Sequence, residues 1–376
     1  MNIMIIAGEA SGDLHGAGVV RELKHRYPDA EIYGIGGDKM EKEGMKLIYH
    51  IREVSIMGFW EVLKHLPIIR SVEFAMMAIA KAKKPDVVLL IDYPGFNLRF
   101  AKKIRPLGLK IVYYISPQVW AWNSGRVKKM KALIDKMLVV FPFEEEIYKK
   151  EGIPVEFVGH PLLEELEEVQ NKEEFCKRFN IDPSKHIVGL FPGSRTQEIE
   201  RIFPTMLGAA RILYAADEVE TVVGVAPNLD MEYMKTFLLL DDFPVKLIKH
   251  VTYDVMKNVD VAIVTSGTAT LETACYQTPM VVVYKTSWLT YMIGRMLVKV
   301  KNIGLVNIVA GKQIVPELIQ GKVKPLPLAV EAAAMFEDPA RRQRIRQELS
   351  QIQHKLGTPG ASGRVADAIC KIIDNK

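Results

Sequence analysis

Three loops in this sequence set a glycine beside a hydroxyl or a charge directly after a β-branched run: Gly8-Glu9-Ala10-Ser11-Gly12-Asp13, Pro192-Gly193-Ser194-Arg195 and Thr265-Ser266-Gly267-Thr268. Where a strand passes through such a loop into a helix, free backbone N–H groups meet the positive end of the helix dipole, and that is an anion site. One such loop is weak evidence, because glycine often serves only the tight turn. Repetition of the device at the carboxyl ends of several expected strands favours a ligand that carries phosphates. Arg195 adds a permanently charged bidentate fork at the mouth of its loop, with an ion pair to Glu198 or Glu200 as the alternative. Glu272 lies one turn beyond the third loop, able to accept hydrogen bonds from a pair of hydroxyls or simply to complement the helix dipole.

Val88–Ile91 runs into Asp92-Tyr93-Pro94-Gly95-Phe96-Asn97, which places a carboxylate at a strand's carboxyl end, where a general base belongs. Asp in front of Pro-Gly suits a helix N-cap or an Asx turn equally well. Glu9, Asp13 and His15 are further titratable candidates in the same half, and Ser11 adds a hydroxyl to the first loop. The stretch Tyr113-Tyr114-Ile115-Ser116-Pro117-Gln118-Val119-Trp120-Ala121-Trp122 is followed closely by Arg126, Lys128 and Lys129. Aromatic rings above a basic run suit a sugar face and a phosphate, which singles out Trp120 and Arg126; a hydrophobic corner of the core is the competing account.

Several chemistries lack their residues. No GxxxxGK[ST] occurs, and Gly34-Ile35-Gly36-Gly37 has Lys39 where a dinucleotide fingerprint needs its third glycine. No Asp-x-Asp pair is present to bridge a diphosphate through a divalent ion, and no His/Cys cluster has ligand spacing, so neither a metal nor a cofactor is expected. A departing diphosphate then has to be stabilised by arginine and helix N-termini.

The elements that must position these residues follow from period and punctuation. Ile3–Ala7, Glu31–Ile35, Val87–Ile91, Lys110–Ile115, Lys136–Val140 and Val155–Val158 are expected strands, with helices at about Leu14–Arg26, Val72–Lys83 and Leu98–Lys103 between them. The same grammar restarts with strands at His186–Phe191, Glu220–Val225, Val245–Ile248, Val259–Val264 and Met280–Tyr284 and helices near Arg201–Ala216 and Ala269–Tyr276. The fold class is α/β, with two tandem Rossmann-like, doubly wound domains. The first spans 1–165, Asp182-Pro183-Ser184 marks the boundary turn, the second spans 186–340, and C-terminal helices in 341–376 are expected to pack back on the first. An Asp338-Pro339 start suits helix N-cap and N1.

Composition agrees. A chain of 376 residues is too long for one core of usual size, and 49% hydrophobic with 25% charged residues excludes wholesale disorder. Cys176, Cys275 and Cys370 are an odd number far apart, which fits no disulfide framework. A net charge of +5 and a pI near 8.8 fall short of the basic stripe of a nucleic-acid binder, so no nucleic acid partner is expected. The start has neither a basic region nor a cleavage site, and no stretch approaches the roughly 18 apolar residues of a spanning helix, so a cytoplasmic location is expected. Ile56–Arg70 is nonetheless rich in Phe, Trp and Met. Its Phe59, Trp60 and Leu63 suit a membrane interface or acyl chains, or else a core helix, and Trp288–Lys299 mixes apolar and basic residues in the same way.

Taken together, the loops, the base candidate and the arginine-plus-glutamate pair look like a B-type glycosyltransferase that uses a nucleotide sugar. More closely, the chain resembles the lipid-A-disaccharide synthase family over almost its whole length. The likeness is carried by Gly8 to Asp13, Met57-Gly58, Asp92-Tyr93-Pro94 with Phe96-Asn97, Ser116 to Trp122, Pro142-Phe143-Glu144, Gly159-His160-Pro161, Pro192 to Arg195, Ser266 to Ala269 with Leu271-Glu272, and Asn307 before Ala310-Gly311.

The resemblance implies that UDP-2,3-diacylglucosamine is the donor and 2,3-diacylglucosamine 1-phosphate the acceptor. They are joined by a β-1,6 bond with inversion and release of UDP, a step of lipid A biosynthesis. It implies Asp92 as general base and places Arg195, Glu272 and Asn307, with the Ser266-Gly267-Thr268 loop, around UDP. Glu9, Ser11, Asp13, Trp120 and Arg126 are expected on the acceptor side. Family members often carry a second Asp after Asp-x-Pro, whereas this chain has Gly95, so Asp92 is left to act alone. Acylated substrates favour peripheral attachment to the inner face of the cytoplasmic membrane through anionic lipid, the protein being a monomer or homodimer. Two rivals remain open: another nucleotide-sugar enzyme of the same fold, such as a soluble glycosyltransferase or a UDP-sugar 2-epimerase, and a two-lobed receptor that closes on a ligand without catalysis.

Overall fold

Continuous apolar runs such as Ile3-Met4-Ile5-Ile6-Ala7 and Val87-Val88-Leu89-Leu90-Ile91 leave a strand no polar face, so both of its sides have to be covered. Every one of these residues is fully buried. The computed structural model describes residues 1–54, 59–120, 125–217, 219–239, 243–288, 291–292 and 301–374, and the side chains of 54–66 and 217 lie outside that description. Packing divides the chain into two units, Met1–Glu164 with Leu356–Lys376, and Glu165–Lys355.

The first unit is built on β1 (Asn2–Ala7), β2 (Glu31–Gly36), β3 (Lys46–His50), β4 (Val87–Ile91), β5 (Lys110–Tyr114), β6 (Lys136–Val139) and β7 (Val155–Phe157). Their spatial order is β3-β2-β1-β4-β5-β6-β7, with every neighbouring pair parallel. The second unit contains β8 (Ile187–Phe191), β9 (Glu220–Val225), β10 (Val245–Lys249), β11 (Val261–Thr265), β12 (Met280–Tyr284) and β13 (Glu317–Ile319), in the order β10-β9-β8-β11-β12-β13, again all parallel. Each is a doubly wound α/β sheet. In each, the winding reverses beside the first strand, between β1 and β4 in one unit and between β8 and β11 in the other. Open α/β sheets bind ligands at that switch point, outside the carboxyl ends of the strands.

The expected strands are present to within a residue or two, and β3 and β13 are additions. Both are outer strands, only half-buried, and neither carries the continuous apolar run that marks a central strand. The turn at Asp182-Pro183-Ser184 forms, with the Ser184 N–H and hydroxyl donating to Asp182 Oδ1 at 2.9 and 2.6 Å. It lies inside the second unit, because the segment before it is tied there: the Gln170 N–H donates to Asp254 Oδ1 at 2.7 Å and Lys172 Nζ to Asp260 Oδ1 at 2.8 Å.

The C-terminal helices divide. Asp338 caps the helix Pro339–Lys355 by accepting from the Arg341 N–H at 2.8 Å. That helix packs within the second unit against Ala269–Cys275 and Leu305–Ala310, burying Ile345, Leu349 and Ile352. Only the stretch from Leu356 belongs to the first unit, where the helix Ala361–Asp374 lies against Ala10–Arg26.

The apolar segment 56–70 enters the helix Phe59–Lys83; Ile56, Met57 and Gly58 lie outside the described residues, as do the side chains of Phe59, Trp60 and Leu63. Farther along, Ile69, Val72, Met76 and Ala80 face the core, and the buried Glu73 accepts from Lys103 Nζ at 2.8 Å on the helix Pro94–Ile104. Ile68 and Phe74 are exposed on the same helix, the latter 66% accessible.

Candidate functional site

Asp92 sits directly after β4, at the switch point of the first sheet. It and Tyr93 both take left-handed backbone angles, with φ of 44° and 47°. For residues with a Cβ such angles cost about 1–3 kcal/mol each and are sustained where the surroundings over-determine them. The N-cap of the helix Pro94–Ile104 is Tyr93, and no side chain caps it, so the Asp92 carboxylate is not consumed as a helix cap. Burial, reinforced by the neighbouring Glu9 carboxylate, pushes the Asp92 carboxyl up to about 6, against the opposing effects of the Tyr93 N–H and of His15.

The loop after β1 supplies that neighbour. Glu9 is half-buried in an extended conformation ahead of the helix Ala10–Arg26, and Ser11 is exposed in its first turn. Gly8 is required by packing: a Cβ there would stand 2.1 Å from Cδ1 of the Tyr93 ring. Asp13 is buried and tied to the segment after β2. Its carboxylate accepts from the N–H groups of Gly37 at 2.7 Å, Met40 at 3.1 Å and Lys39 at 3.2 Å, and so caps the short helix Asp38–Lys42.

Trp120 is half-buried and fixed. Its Nε1 donates to Glu144 Oε1 at 3.1 Å, the same oxygen accepts from Ser116 Oγ at 2.6 Å, and the ring meets Phe143 edge-on at 5.6 Å. Glu144 Oε2 accepts from the Phe141 N–H at 3.2 Å, and burial pushes this carboxyl up to about 7. Arg126, on the helix Gly125–Lys131, is close enough for its charge to act on the Tyr113 hydroxyl. Ala121 and Trp122 lie outside the described residues. His160 is buried after β7, where desolvation and His15 lower it to about 3 and its Nδ1 accepts from the Leu162 N–H at 3.1 Å. Glu144 and His160 were legible only as parts of Pro142-Phe143-Glu144 and Gly159-His160-Pro161; the signal that marks them is position, since each lies just past a strand's carboxyl end.

In the second unit the loops after β8 and β11 flank the other switch point. Arg195 is 58% exposed and pairs through Nη1 with Glu198 Oε1 at 2.9 Å, so of the two glutamates weighed the nearer in sequence is its partner. The Ser266 N–H donates to the Val283 carbonyl at 2.8 Å and its Oγ to the Ile303 carbonyl at 3.1 Å, which holds the loop in place. Above Gly267 no atom lies within 4 Å of where a Cβ would be, and Thr268 leads into the helix Ala269–Cys275. Glu272 follows on that helix, and burial with the nearby Glu165 pushes its carboxyl up to about 7.

Asn307, like Asp13, is tied to other segments. It is wholly buried, its Nδ2 donates to the Val315 carbonyl at 2.9 Å and to Glu317 Oε1 at 2.7 Å, and its Oδ1 accepts from the N–H groups of Ile314 at 2.8 Å and Val315 at 3.1 Å. An amide so occupied braces the helix Leu305–Ala310 against β13. Asn307→Ala is expected to lower stability by about 3 kcal/mol in urea denaturation, because buried N–H groups lose their acceptor. Unchanged stability would contradict the bracing role, and weakened UDP affinity of the folded variant would support the expected place of Asn307 in the nucleotide pocket.

Among the described residues, no group of three or more His, Cys, Asp or Glu is placed to hold a metal ion, and no helix is long and apolar enough to cross a membrane.

Comparison with known proteins bears on what this geometry serves. A family model described as lipid-A-disaccharide synthetase matches residues 3–369. The chain is 45% identical over 366 residues to the lipid-A-disaccharide synthase of Syntrophus aciditrophicus, covering 97% of this chain and 96% of that protein. It is 42% identical over 372 residues to that of Geobacter sulfurreducens, covering 99% and 97%. Among solved structures, the UDP-GlcNAc 2-epimerase of Neisseria meningitidis bound to UDP-GlcNAc is similar at a TM-score of 0.68 with 15% identity, over 99% of this chain and 100% of that one. The calicheamicin glycosyltransferase gives 0.61 at 15%, over 99% of this chain and 98% of that one. At such identities these likenesses concern the fold alone.

Proposed function

The chain belongs to the lipid-A-disaccharide synthase family, and from that premise we propose that it joins UDP-2,3-diacylglucosamine to 2,3-diacylglucosamine 1-phosphate through a β-1,6 bond, with inversion and release of UDP. Family membership sets aside the epimerase and the non-catalytic receptor. The observation that carries the assignment of roles is the position of Asp92 and of the Arg195 and Ser266–Thr268 loops, all at the switch points of their sheets.

Asp92 takes the proton from the acceptor 6-hydroxyl as that oxygen attacks the donor's anomeric carbon. The new O–C bond forms as the bond from the anomeric carbon to the diphosphate oxygen breaks, in line and through a transition state with oxocarbenium character, which inverts the α-linked donor. The electron pair leaves with UDP. Arg195 and the N–H groups of Gly267 and Thr268 in the Ser266–Thr268 loop meet that charge, and Glu272 accepts hydrogen bonds from the ribose. Glu9, Ser11, Trp120 and Arg126 stand on the acceptor side, where Arg126 is suited to the acceptor phosphate.

The pH dependence of disaccharide formation tests the base assignment. Asp92 works as the carboxylate and its carboxyl is raised to about 6, so activity should rise through about pH 6 and be lost below it. Glu272 titrates near 7, so the same limb should persist in Glu272→Gln. A limb at about 4, the ordinary aspartate value, would contradict the assignment.

Acylated donor and acceptor meet an enzyme at a bilayer surface, and peripheral attachment through anionic lipid on the inner face of the cytoplasmic membrane follows from the proposed substrates. Exposed Ile68 and Phe74 on the helix Phe59–Lys83, and Trp288 at 73% exposure in the second unit, support it. A Phe59, Trp60 and Leu63 to Ser variant is expected to lose co-flotation with anionic liposomes, whereas undiminished flotation would return those side chains to the core.

A further inference from the structure

Asp92 is held by its main chain from both sides. Its N–H donates to the Tyr114 carbonyl at 2.9 Å, which continues the pairing of β4 with β5 one residue past the strand. Its carbonyl oxygen accepts two donors at once, the Tyr113 hydroxyl at 2.6 Å and Asn97 Nδ2 at 2.7 Å, and the same Asn97 nitrogen reaches the Ile91 carbonyl at 3.1 Å. Both donors are wholly buried, one on β5 and the other in the first turn of the helix Pro94–Ile104. Between these anchors lies Asp92 in its left-handed conformation, followed directly by the left-handed Tyr93, a conformation the chain would leave if released. The direction of the Cα–Cβ bond of Asp92 is therefore set by the peptide groups on either side of it.

We propose that Tyr113 and Asn97 form a backbone clamp that aims the Asp92 carboxylate, acting as positioning residues for the proton transfer. The clamp rests on the assignment of Asp92 as base. The groups acting on the carboxylate are Glu9 from the loop after β1 and His15 from the helix Ala10–Arg26, with Arg126 and Tyr148 acting on Tyr113 and His160 beside His15. Tyr113→Phe changes none of these and keeps the buried ring, while it removes one donor.

Tyr113→Phe should lower kcat about tenfold with KM for both substrates within about twofold. It should also move the acid limb of the pH profile down by about one unit, as the loosened carboxylate gains water. Asn97→Ala releases the Ile91 carbonyl as well, should give the same pattern more strongly, and carries the test if the Tyr113 variant does not fold. In an Asp92→Asn background, Tyr113→Phe should take nothing further from the residual rate, since a positioning residue acts through what it positions. Wild-type kcat and pH profile in both single variants, or an undiminished loss in the Asp92→Asn background, would overturn the clamp. Full activity of Asp92→Asn alone would instead remove the base; an inactive Asp92→Asn with a normal Tyr113→Phe would remove only the clamp.

Discussion

Asp92→Asn is expected to reduce turnover by about 10²–10⁴-fold, the usual contribution of a positioned general base, with KM for both substrates little changed. The amide is nearly isosteric, and the main-chain bonds that hold residue 92 involve its N–H and carbonyl rather than its side chain. What disappears is the proton acceptor. Relief of the repulsion with Glu9 should leave the folded state at least as stable as before, so a large rate loss cannot be attributed to unfolding. Turnover within a few fold of the unsubstituted enzyme would show that the 6-hydroxyl loses its proton elsewhere.

Arg195→Ala is expected to cost about 10²–10³-fold in kcat, as removal of one preorganised donor to a developing oxyanion does, together with weaker UDP binding. The exposed pair with Glu198 contributes little to folding, so stability should stay within about 0.5 kcal/mol. Arg195→Lys should recover only part of the rate, because an ammonium keeps the charge but not the planar fork. If Arg195→Ala leaves kcat unchanged, the ion pair with Glu198 is the whole of its role.

The central strands β1, β4, β8 and β11 were legible because burial on both faces writes an unbroken apolar run into the sequence. The outer strand Lys46-Leu47-Ile48-Tyr49-His50 has no such run, and Glu317-Leu318-Ile319 is too short to show one. The loops that flank the switch points could be found because glycine and small hydroxyl residues mark a strand's exit. Which polar residues near those exits are free to act could not. Asp13 and Asn307 have the right type and neighbourhood, and only the structure shows that they also bind groups of other segments, for Asp13 beginning 24 positions downstream. The clamp on Asp92 is hidden for the same reason: a tyrosine on β5 reads as core until its hydroxyl is seen on the Asp92 carbonyl.

The central claim is chemical, and one incubation addresses it directly. The purified protein, given UDP-2,3-diacylglucosamine and 2,3-diacylglucosamine 1-phosphate, should form free UDP and a β-1,6-linked disaccharide monophosphate in equal amounts, and neither product when the acceptor is omitted. Release of UDP without a disaccharide, or conversion of the donor to its C2 epimer in the absence of acceptor, would contradict it.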